Sequence, residues 1–240
     1  MPSISNFSDF DPLENEESIF IEWVKESQNL KNYDFIILPG SKQTIKDQIF
    51  LDNSGLSQDI REYSENNGHI IGICGGLQML GTILEDPFLK EGSKNPSGQK
   101  IRGIGLLPLK TTFIEKKLTR QISSESLWPC QSKINGFEIH NGQTELDSTQ
   151  NSLKINPIFR DINLGWYKEN KKGGTIAATY IHGIFENDIW RDQYINLIRK
   201  RKKLPASEKK TRSYKIKRES IIDNLANEFD KHITISSLLN

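Results

Sequence analysis

The chain has 240 residues, of which 26% are charged and 35% are hydrophobic. This composition can bury a sizeable core, so it excludes wholesale disorder, and no run approaches the roughly 18 apolar residues of a membrane-spanning helix. The formal net charge of +1 conceals a basic end, because residues 199–240 carry 12 Lys and Arg against 5 Asp and Glu. The four histidines and two cysteines lack metal-ligand spacing, which predicts no metal site. With neither a signal peptide nor a disulfide framework, we expect a cytoplasmic protein.

The chain begins with a polar, acidic stretch, and residues 1–18 are therefore predicted to be a linker-like segment. Residues 19–28 place apolar side chains at helical intervals, which favours a short helix. The apolar run at residues 33–38, stopped by a Pro-Gly pair, is typical of a buried strand in a parallel sheet. We expect the main domain to span residues 19–203 and a basic extension with a terminal helix to span residues 204–240.

The next elements alternate between strand and helix. Helical patterns over residues 44–51 and 56–66 precede a second apolar run at residues 69–73, and a further helix follows it. This order is the βαβ signature, which predicts an α/β fold with a mainly parallel central sheet flanked by helices. The remaining predicted elements are short strands at residues 103–108, 111–114 and 134–140, a strand at residues 173–180 and a helix over about 188–201.

The sharpest motif is GICGGLQ at residues 72–78. Cys74 stands between an apolar run and a helix, and its glycine neighbours suit a tight strand-to-helix turn. A helix N-terminus favours a thiolate, and the N–H of Gly75 can face an oxyanion. By spacing alone, Cys74 is either a nucleophile or a buried structural cysteine.

A second candidate follows the predicted strand at residues 173–180. His182 lies in the run TYIHGIF at residues 179–185. Because α/β enzymes assemble their sites at the carboxyl edge of the sheet, His182 is the predicted proton acceptor and donor for Cys74. A lone histidine at a strand end is more often structural, so its partner decides the interpretation.

Both motifs resemble those of class I glutamine amidotransferases. Residues 72–78 are similar to the Gly-x-Cys-x-Gly-x-Gln elbow of that class, and residues 179–185 resemble the Thr-Tyr-x-His-Gly-x-Phe pattern of the branch that contains the cobyric acid synthases. The resemblance implies a flavodoxin-like amidotransferase domain with Cys74 and His182 as its catalytic residues. Many members of the class carry a Glu two residues after the histidine, where this chain and this branch do not. The group that orients His182 is therefore unidentified.

Two further positions receive roles from the same resemblance. Residues 38–45, LPGSKQTI, are similar to a loop that supplies an oxyanion N–H in the class, which makes Gly40 or Ser41 the partner of Gly75 in an oxyanion hole. Without the resemblance, this run predicts only a turn into a helix. Gln78 is implied to hold the substrate glutamine, and a helix-surface glutamine is the alternative.

Arg120 and His140 are weaker candidates. Arg120 lies in the charged run at residues 115–120, and its guanidinium suits the α-carboxylate of glutamine; an exposed charged loop is the alternative. His140, in a Glu-Ile-His motif of the family, is interpreted as part of a loop near the site or at a synthetase interface, or as a structural histidine.

The basic residues after residue 199 lack interleaved aromatic side chains, so we interpret them as solvated surface and expect no nucleic acid partner. Apolar residues at helical spacing over 221–233 predict a docking helix.

The resemblance implies a glutaminase that releases ammonia for the ATP-dependent amidation of adenosylcobyrinic acid a,c-diamide in cobalamin biosynthesis. The chain has no G-x-x-x-x-G-K-[ST] loop, so ATP and Mg are expected in a synthetase domain or subunit absent from this chain, and no cofactor is expected within it. The corrinoid is reached through that partner, and residues 2–13 resemble the segment that joins the two halves in the family. The alternatives are the glutaminase subunit of a lipid II isoglutaminyl synthase and a catalytically silent binding domain.

Overall fold

The structure is a computed structural model that describes residues 1–92, 98–150, 154–170, 173–207 and 213–232. Its helices are α1 (Asp11–Glu14), α2 (Thr44–Asn53), α3 (Leu56–Glu65), α4 (Gly75–Leu80), α5 (Asp188–Arg201) and α6 (Tyr214–His232). Its strands are β1 (Ile36–Leu38), β2 (Ile70–Ile73), β3 (Ile83–Asp86), β4 (Gln99–Arg102), β5 (Leu109–Ser126), β6 (Ser132–Leu146), β7 (Asn156–Pro157), β8 (Gly165–Glu169) and β9 (Thr175–Thr179).

The central sheet has the order β1-β2-β9-β8-β7. The strands β1, β2 and β9 are parallel, and β8 and β7 continue the sheet in antiparallel fashion. Successive side chains of a strand point to opposite faces, so Ile70 packs in a cluster with Ile45 and Ile60 of α2 and α3, while Ile71 packs with Tyr194 of α5. The predicted α/β fold with a central sheet flanked by helices is confirmed. The sheet itself is mixed, with two parallel and two antiparallel pairings.

A second sheet has the order β4-β3-β5-β6 and is dominated by a long hairpin. Strands β5 and β6 pair over most of their 18 and 15 residues, with a register shift between Phe113 and Leu118. The short strands predicted at residues 111–114 and 134–140 are therefore parts of much longer ones. The charged residues 115–120 belong to β5: residues 118–120 pair with β6, whereas residues 115–117 lie within the register shift. The strand predicted at residues 103–108 is absent, and the chain there is irregular with a bend at residues 106–108.

The predicted helix over residues 19–28 is also absent. Ile19 and Ile21 pack against the core, whereas Phe20 between them is 89% exposed. This alternation has the period of an extended chain rather than that of a helix. The helices predicted at residues 44–51, 56–66 and 188–201 are confirmed by α2, α3 and α5.

The segment predicted to be linker-like is folded onto the domain. Phe10 and Leu13 are buried in the same core cluster as Ile71, and Ile4 pairs with Ser41 as an antiparallel bridge. Two apolar residues that fill a core site outweigh the acidic composition around them, since each buries a large apolar surface. Residues 1–18 are therefore packed against the domain, and the prediction of a linker-like segment is corrected.

The C-terminal helix α6 is mostly solvent-exposed. Of its residues only Tyr214 is buried, and Ile221, Leu225 and Phe229 are all exposed. The predicted helix is present, but its apolar face does not dock on this domain, which corrects the prediction of a docking helix. Part of the predicted extension, including Lys209, Lys210, Arg212 and Ile233, lies outside the described residues. No helix within the described ranges combines the length and apolarity needed to cross a membrane.

Candidate active site

Cys74 occupies a strained turn between β2 and α4. Its φ of 52° and ψ of −106° lie outside the regions that side chains other than glycine favour. The Cys74 N–H donates to the carbonyl of Thr179 at 2.8 Å, and its carbonyl accepts from the N–H of Gln78 at 3.1 Å. Strand β9 and helix α4 thus hold the residue in this conformation. The side chain is a free thiol in a residue that is 6% exposed.

Glycines allow the elbow to pack closely against its surroundings. A Cβ on Gly76 would lie 2.0 Å from the carbonyl oxygen of Leu38 at the end of β1. A Cβ on Gly75 would lie 2.8 Å from the backbone nitrogen of Ser41, and one on Gly40 would lie 3.1 Å from the His182 ring. The structure therefore brings Gly75 and the loop at residues 40–41, both predicted oxyanion donors, to the same side of the elbow.

His182 lies three residues beyond β9 and is held by the N-terminal segment. Its Nδ1 is 2.7 Å from Asp9 Oδ2, and the other Asp9 oxygen accepts the N–H of Gly183 at 2.8 Å. The side-chain amide of Asn6 lies 2.9 Å from the same ring nitrogen, and the ring of Phe137 stacks on the imidazole at 5.1 Å. Asp9 is thus the orienting group that could not be identified from sequence. In the sequence, Asp9 stands out only as an acidic residue between Phe7 and Phe10. No local pattern relates it to His182.

The environment of His182 favours its protonated form. Burial by itself lowers the pKa of His182, but hydrogen bonds to Asp9 and Cys74, together with their charges, outweigh burial and raise the pKa to about 9. The imidazole therefore carries two protons at neutral pH. His182 can therefore act as a proton donor to a group beside it.

Gln78 lies one turn along α4 and is 2% exposed. Its Oε1 accepts from the hydroxyl of Thr44 at 3.1 Å, and its Nε2 donates to the hydroxyl of Tyr180 at 3.2 Å. Both ends of the amide are thus bonded within the protein, where they link α2 to the residue after β9. The predicted contact of Gln78 with glutamine stays a prediction.

Arg120 lies on β5 rather than in an exposed loop. Its Nε donates to Glu138 Oε2 at 2.6 Å, and its Nη2 is 3.4 Å from Asp161. The side chain is 45% exposed. Two carboxylates therefore take up its charge, and its described hydrogen bonds are to them rather than to Cys74 or His182.

His140 lies on β6, close to the elbow, and not in a loop. Its Nε2 is 2.8 Å from Glu138 Oε1, and its Nδ1 is 2.7 Å from the carbonyl of Gly142. The neighbouring carbonyl of Ile139 accepts a hydrogen bond from the Cys74 thiol at 3.5 Å. Within the described ranges, no group of three or more His, Cys, Asp or Glu side chains is placed to hold a metal ion.

The fold matches that of solved glutamine amidotransferases. One structure, described as the crystal structure of a glutamine amidotransferase, aligns with a TM-score of 0.56 over 81% of this chain and 95% of that chain, at 14% identity. The structure of PurLQS from Thermotoga maritima aligns with a TM-score of 0.50 over 75% of this chain and 83% of that chain, at 16% identity. At these identities the likeness shows the class of fold alone, a flavodoxin-like α/β fold.

Sequence comparison identifies the family within that class. Residues 1–190 match the CobB/CobQ-like glutamine amidotransferase domain, and the chain belongs to this family. It is 84% identical over 240 residues to a cobyric acid synthase of Prochlorococcus marinus strain MIT 9312, and 44% identical over 239 residues to that of strain NATL1A. These matches cover all of this chain but only 47% and 48% of the relatives. The chain thus spans about half the length of these relatives and corresponds to their C-terminal part.

Proposed function

We propose that the chain is the glutamine-hydrolysing part of a cobyric acid synthase, with Cys74 as nucleophile and His182 as acid and base. The observation that carries the proposal is the placement of a buried thiol on a strained elbow beside His182, whose Nδ1 is 2.7 Å from Asp9 Oδ2. This pairing supplies a nucleophile and a proton donor at the carboxyl edge of the parallel strands, where α/β enzymes place their sites.

Each step of the proposed mechanism uses a group of this chain. The Cys74 thiolate attacks the side-chain amide carbon of glutamine, and the N–H groups of Gly75 and of the loop at residues 40–41 stabilise the oxyanion. The His182 imidazolium then protonates the amide nitrogen, the C–N bond breaks, and ammonia leaves a thioester on Cys74. Water, deprotonated by His182, hydrolyses the thioester to glutamate and restores the thiolate.

The acceptor of the ammonia belongs to the proposal as well. Relatives named cobyric acid synthase support a corrinoid carboxylate, that of adenosylcobyrinic acid a,c-diamide, over a peptidoglycan precursor. These relatives have a further half that this chain does not match. We place the ATP- and Mg-dependent activation of the carboxylate in that half, as synthetase domain or subunit, and assign no cofactor to this chain.

Ammonia release and active-site labelling test the proposal together. We expect glutamine hydrolysis by the chain combined with the other half of a relative, and covalent labelling of Cys74 by a diazo-ketone analogue of glutamine. Cys74→Ala should abolish both without altering the circular dichroism spectrum, whereas Cys130→Ala should alter neither. Ammonia release that persists in Cys74→Ala, or a Cys74 that stays unlabelled even with the other half present, contradicts the proposal.

A further inference from the structure

Strand β6 contacts both members of the proposed catalytic pair. The N–H of Phe137 donates to the carbonyl of His182 at 3.2 Å, and the N–H of His182 donates to the carbonyl of Phe137 at 2.8 Å. Two residues further along β6, the carbonyl of Ile139 accepts the hydrogen bond of the Cys74 thiol. The backbone of β6 from Phe137 to Ile139 therefore bridges the nucleophile and the histidine, and a shift of this strand alters their separation.

Two side chains on β6 hold this stretch of backbone in place. Glu138 and His140 are two residues apart and so lie on one face of the strand. Glu138 is 3% exposed and uses both carboxylate oxygens, Oε1 for His140 Nε2 and Oε2 for Arg120 Nε. Arg120 lies directly opposite Glu138 in the β5–β6 register. We call Arg120, Glu138 and His140 the hairpin triad.

The hairpin triad is also attached to the segment that carries His182. The His140 ring stacks on the ring of Tyr180 with centroids 3.7 Å apart and an angle of 15° between the planes. The Tyr180 hydroxyl in turn bonds Thr144 of β6 at 2.5 Å and Gln78 of α4. Because Tyr180 stands two residues before His182, these contacts connect β6 to the position of the imidazole.

The triad carries buried charge. Burial raises the pKa of Glu138, but hydrogen bonds from His140 and Arg120 outweigh it and lower the pKa below its usual value. Glu138 thus holds a charge in a buried position, with one partner on its own strand β6 and one on β5.

We propose that the hairpin triad is a positioning unit that holds β6 against Cys74 and His182, and that Arg120 acts through Glu138 rather than by binding the α-carboxylate of glutamine. The inference rests on the proposed function. The two possible roles of Arg120 have different kinetic effects. Loss of a positioning residue lowers the rate of attack by Cys74, whereas loss of a contact to the α-carboxylate weakens the binding of glutamine.

Two variants of the triad and one matched control test the inference in the full chain. Glu138→Gln keeps the shape, but it replaces one of the two acceptor oxygens by an NH2 donor, so Arg120 and His140 cannot both keep the acceptor they use in the wild type. Arg120→Ala removes a half-exposed side chain, which makes it the variant more certain to fold. The control is Glu145→Gln, on the same strand and opposite Lys110 of β5. The probes are iodoacetamide and a diazo-ketone analogue of glutamine, with modification at Cys74 followed by peptide mass spectrometry and Cys130 as internal reference.

We expect both triad variants to lower the maximal rate of Cys74 labelling by the analogue about tenfold, without a change in its half-saturating concentration. The rate of alkylation by iodoacetamide at a fixed pH should also fall, and Glu145→Gln should match the wild type. Wild-type rates in either folded triad variant overturn the inference. So does a raised half-saturating concentration in Arg120→Ala alone, which assigns Arg120 to substrate binding. Absence of labelling in the wild type itself, with the other half of a relative present, overturns the proposed function and the inference with it.

Discussion

The carboxylate of Asp9 lies 2.7 Å from Nδ1 of His182, although the two residues are 173 positions apart in the sequence. Both side chains are buried, and the second Asp9 oxygen fixes the backbone of Gly183. A carboxylate in this place selects the orientation of the imidazole and stabilises its protonated form. The N-terminal segment thereby completes the candidate active site, and the missing Glu after His182 is replaced from another part of the chain.

Removing the charge of Asp9 should shift the pH dependence of glutamine hydrolysis. His182 must be protonated to release ammonia, so activity should fall as pH rises through its pKa of about 9. Asp9→Asn removes a group that raises this pKa, and the falling limb should move to lower pH. Because the pKa of His182 is higher in the folded protein than in the unfolded chain, protonation of His182 stabilises the fold. This stabilisation is complete below about pH 6.5 and is lost as the pH rises through about 9. Asp9→Asn should therefore also lower the free energy of unfolding at neutral pH.

Rate profiles from pH 6 to 10 check this prediction, with Asp11→Asn as control because Asp11 is a nearby carboxylate on α1. A falling limb that stays in place in Asp9→Asn contradicts the assigned role of Asp9.

Shortening Leu13 should destabilise the whole domain. Leu13 is fully buried in the cluster around Ile71, so Leu13→Ala should reduce the free energy of unfolding by about 2–5 kcal/mol. Phe20→Ala, at an exposed position just after this segment, should change it by less than about 0.5 kcal/mol. Urea denaturation of both variants measures the difference. Equal stability of the two would indicate that the segment is not part of the fold.

Gly76 should not tolerate a methyl group. Its added Cβ would meet the Leu38 carbonyl at 2.0 Å, so Gly76→Ala must push α4 away from β1 at a cost of about 3 kcal/mol or more. Gly92 is a useful contrast, because no atom of the described residues lies within 4 Å of its added Cβ, and its φ of +78° opposes substitution. Gly92→Ala should cost about 1–2 kcal/mol. Denaturant midpoints of the two variants test the order, and a Gly76→Ala variant as stable as Gly92→Ala refutes the close contact.

Removal of residues 204–240 should leave the candidate site intact. Within the described part of α6, only Tyr214 is buried, and Arg218 makes a surface ion pair with Glu186. Contacts of this kind contribute little, so we expect a loss of no more than about 2 kcal/mol in unfolding free energy. Labelling of Cys74 by the diazo-ketone analogue should proceed at the full-length rate. A truncated chain that fails to fold would show that the extension supports the domain.

Local sequence patterns predicted the parts of the fold that local energetics control. The apolar runs before Pro39 and before Cys74 were identified as buried strands, and α5 was placed at its observed bounds, because burial and periodicity are visible within a short window. The same reasoning failed for residues 19–28 and for the hairpin. Extended chain with alternating burial resembles a helix when few apolar residues are present. The charged run that contains Arg120 becomes part of a long strand because residues 118–126 pair with β6, a contact that no local pattern records.

The sequence by itself determined the elbow at Cys74, the strand end at His182 and, through its resemblance to a family, the class of protein. These features depend on short motifs whose geometry follows from adjacent residues. Only the tertiary structure decided that Asp9 orients His182 and that Arg120 pairs with Glu138. Those contacts join segments that are distant in the sequence. They form only when the strands take their order and register in the two sheets, which is a property of the whole packed chain.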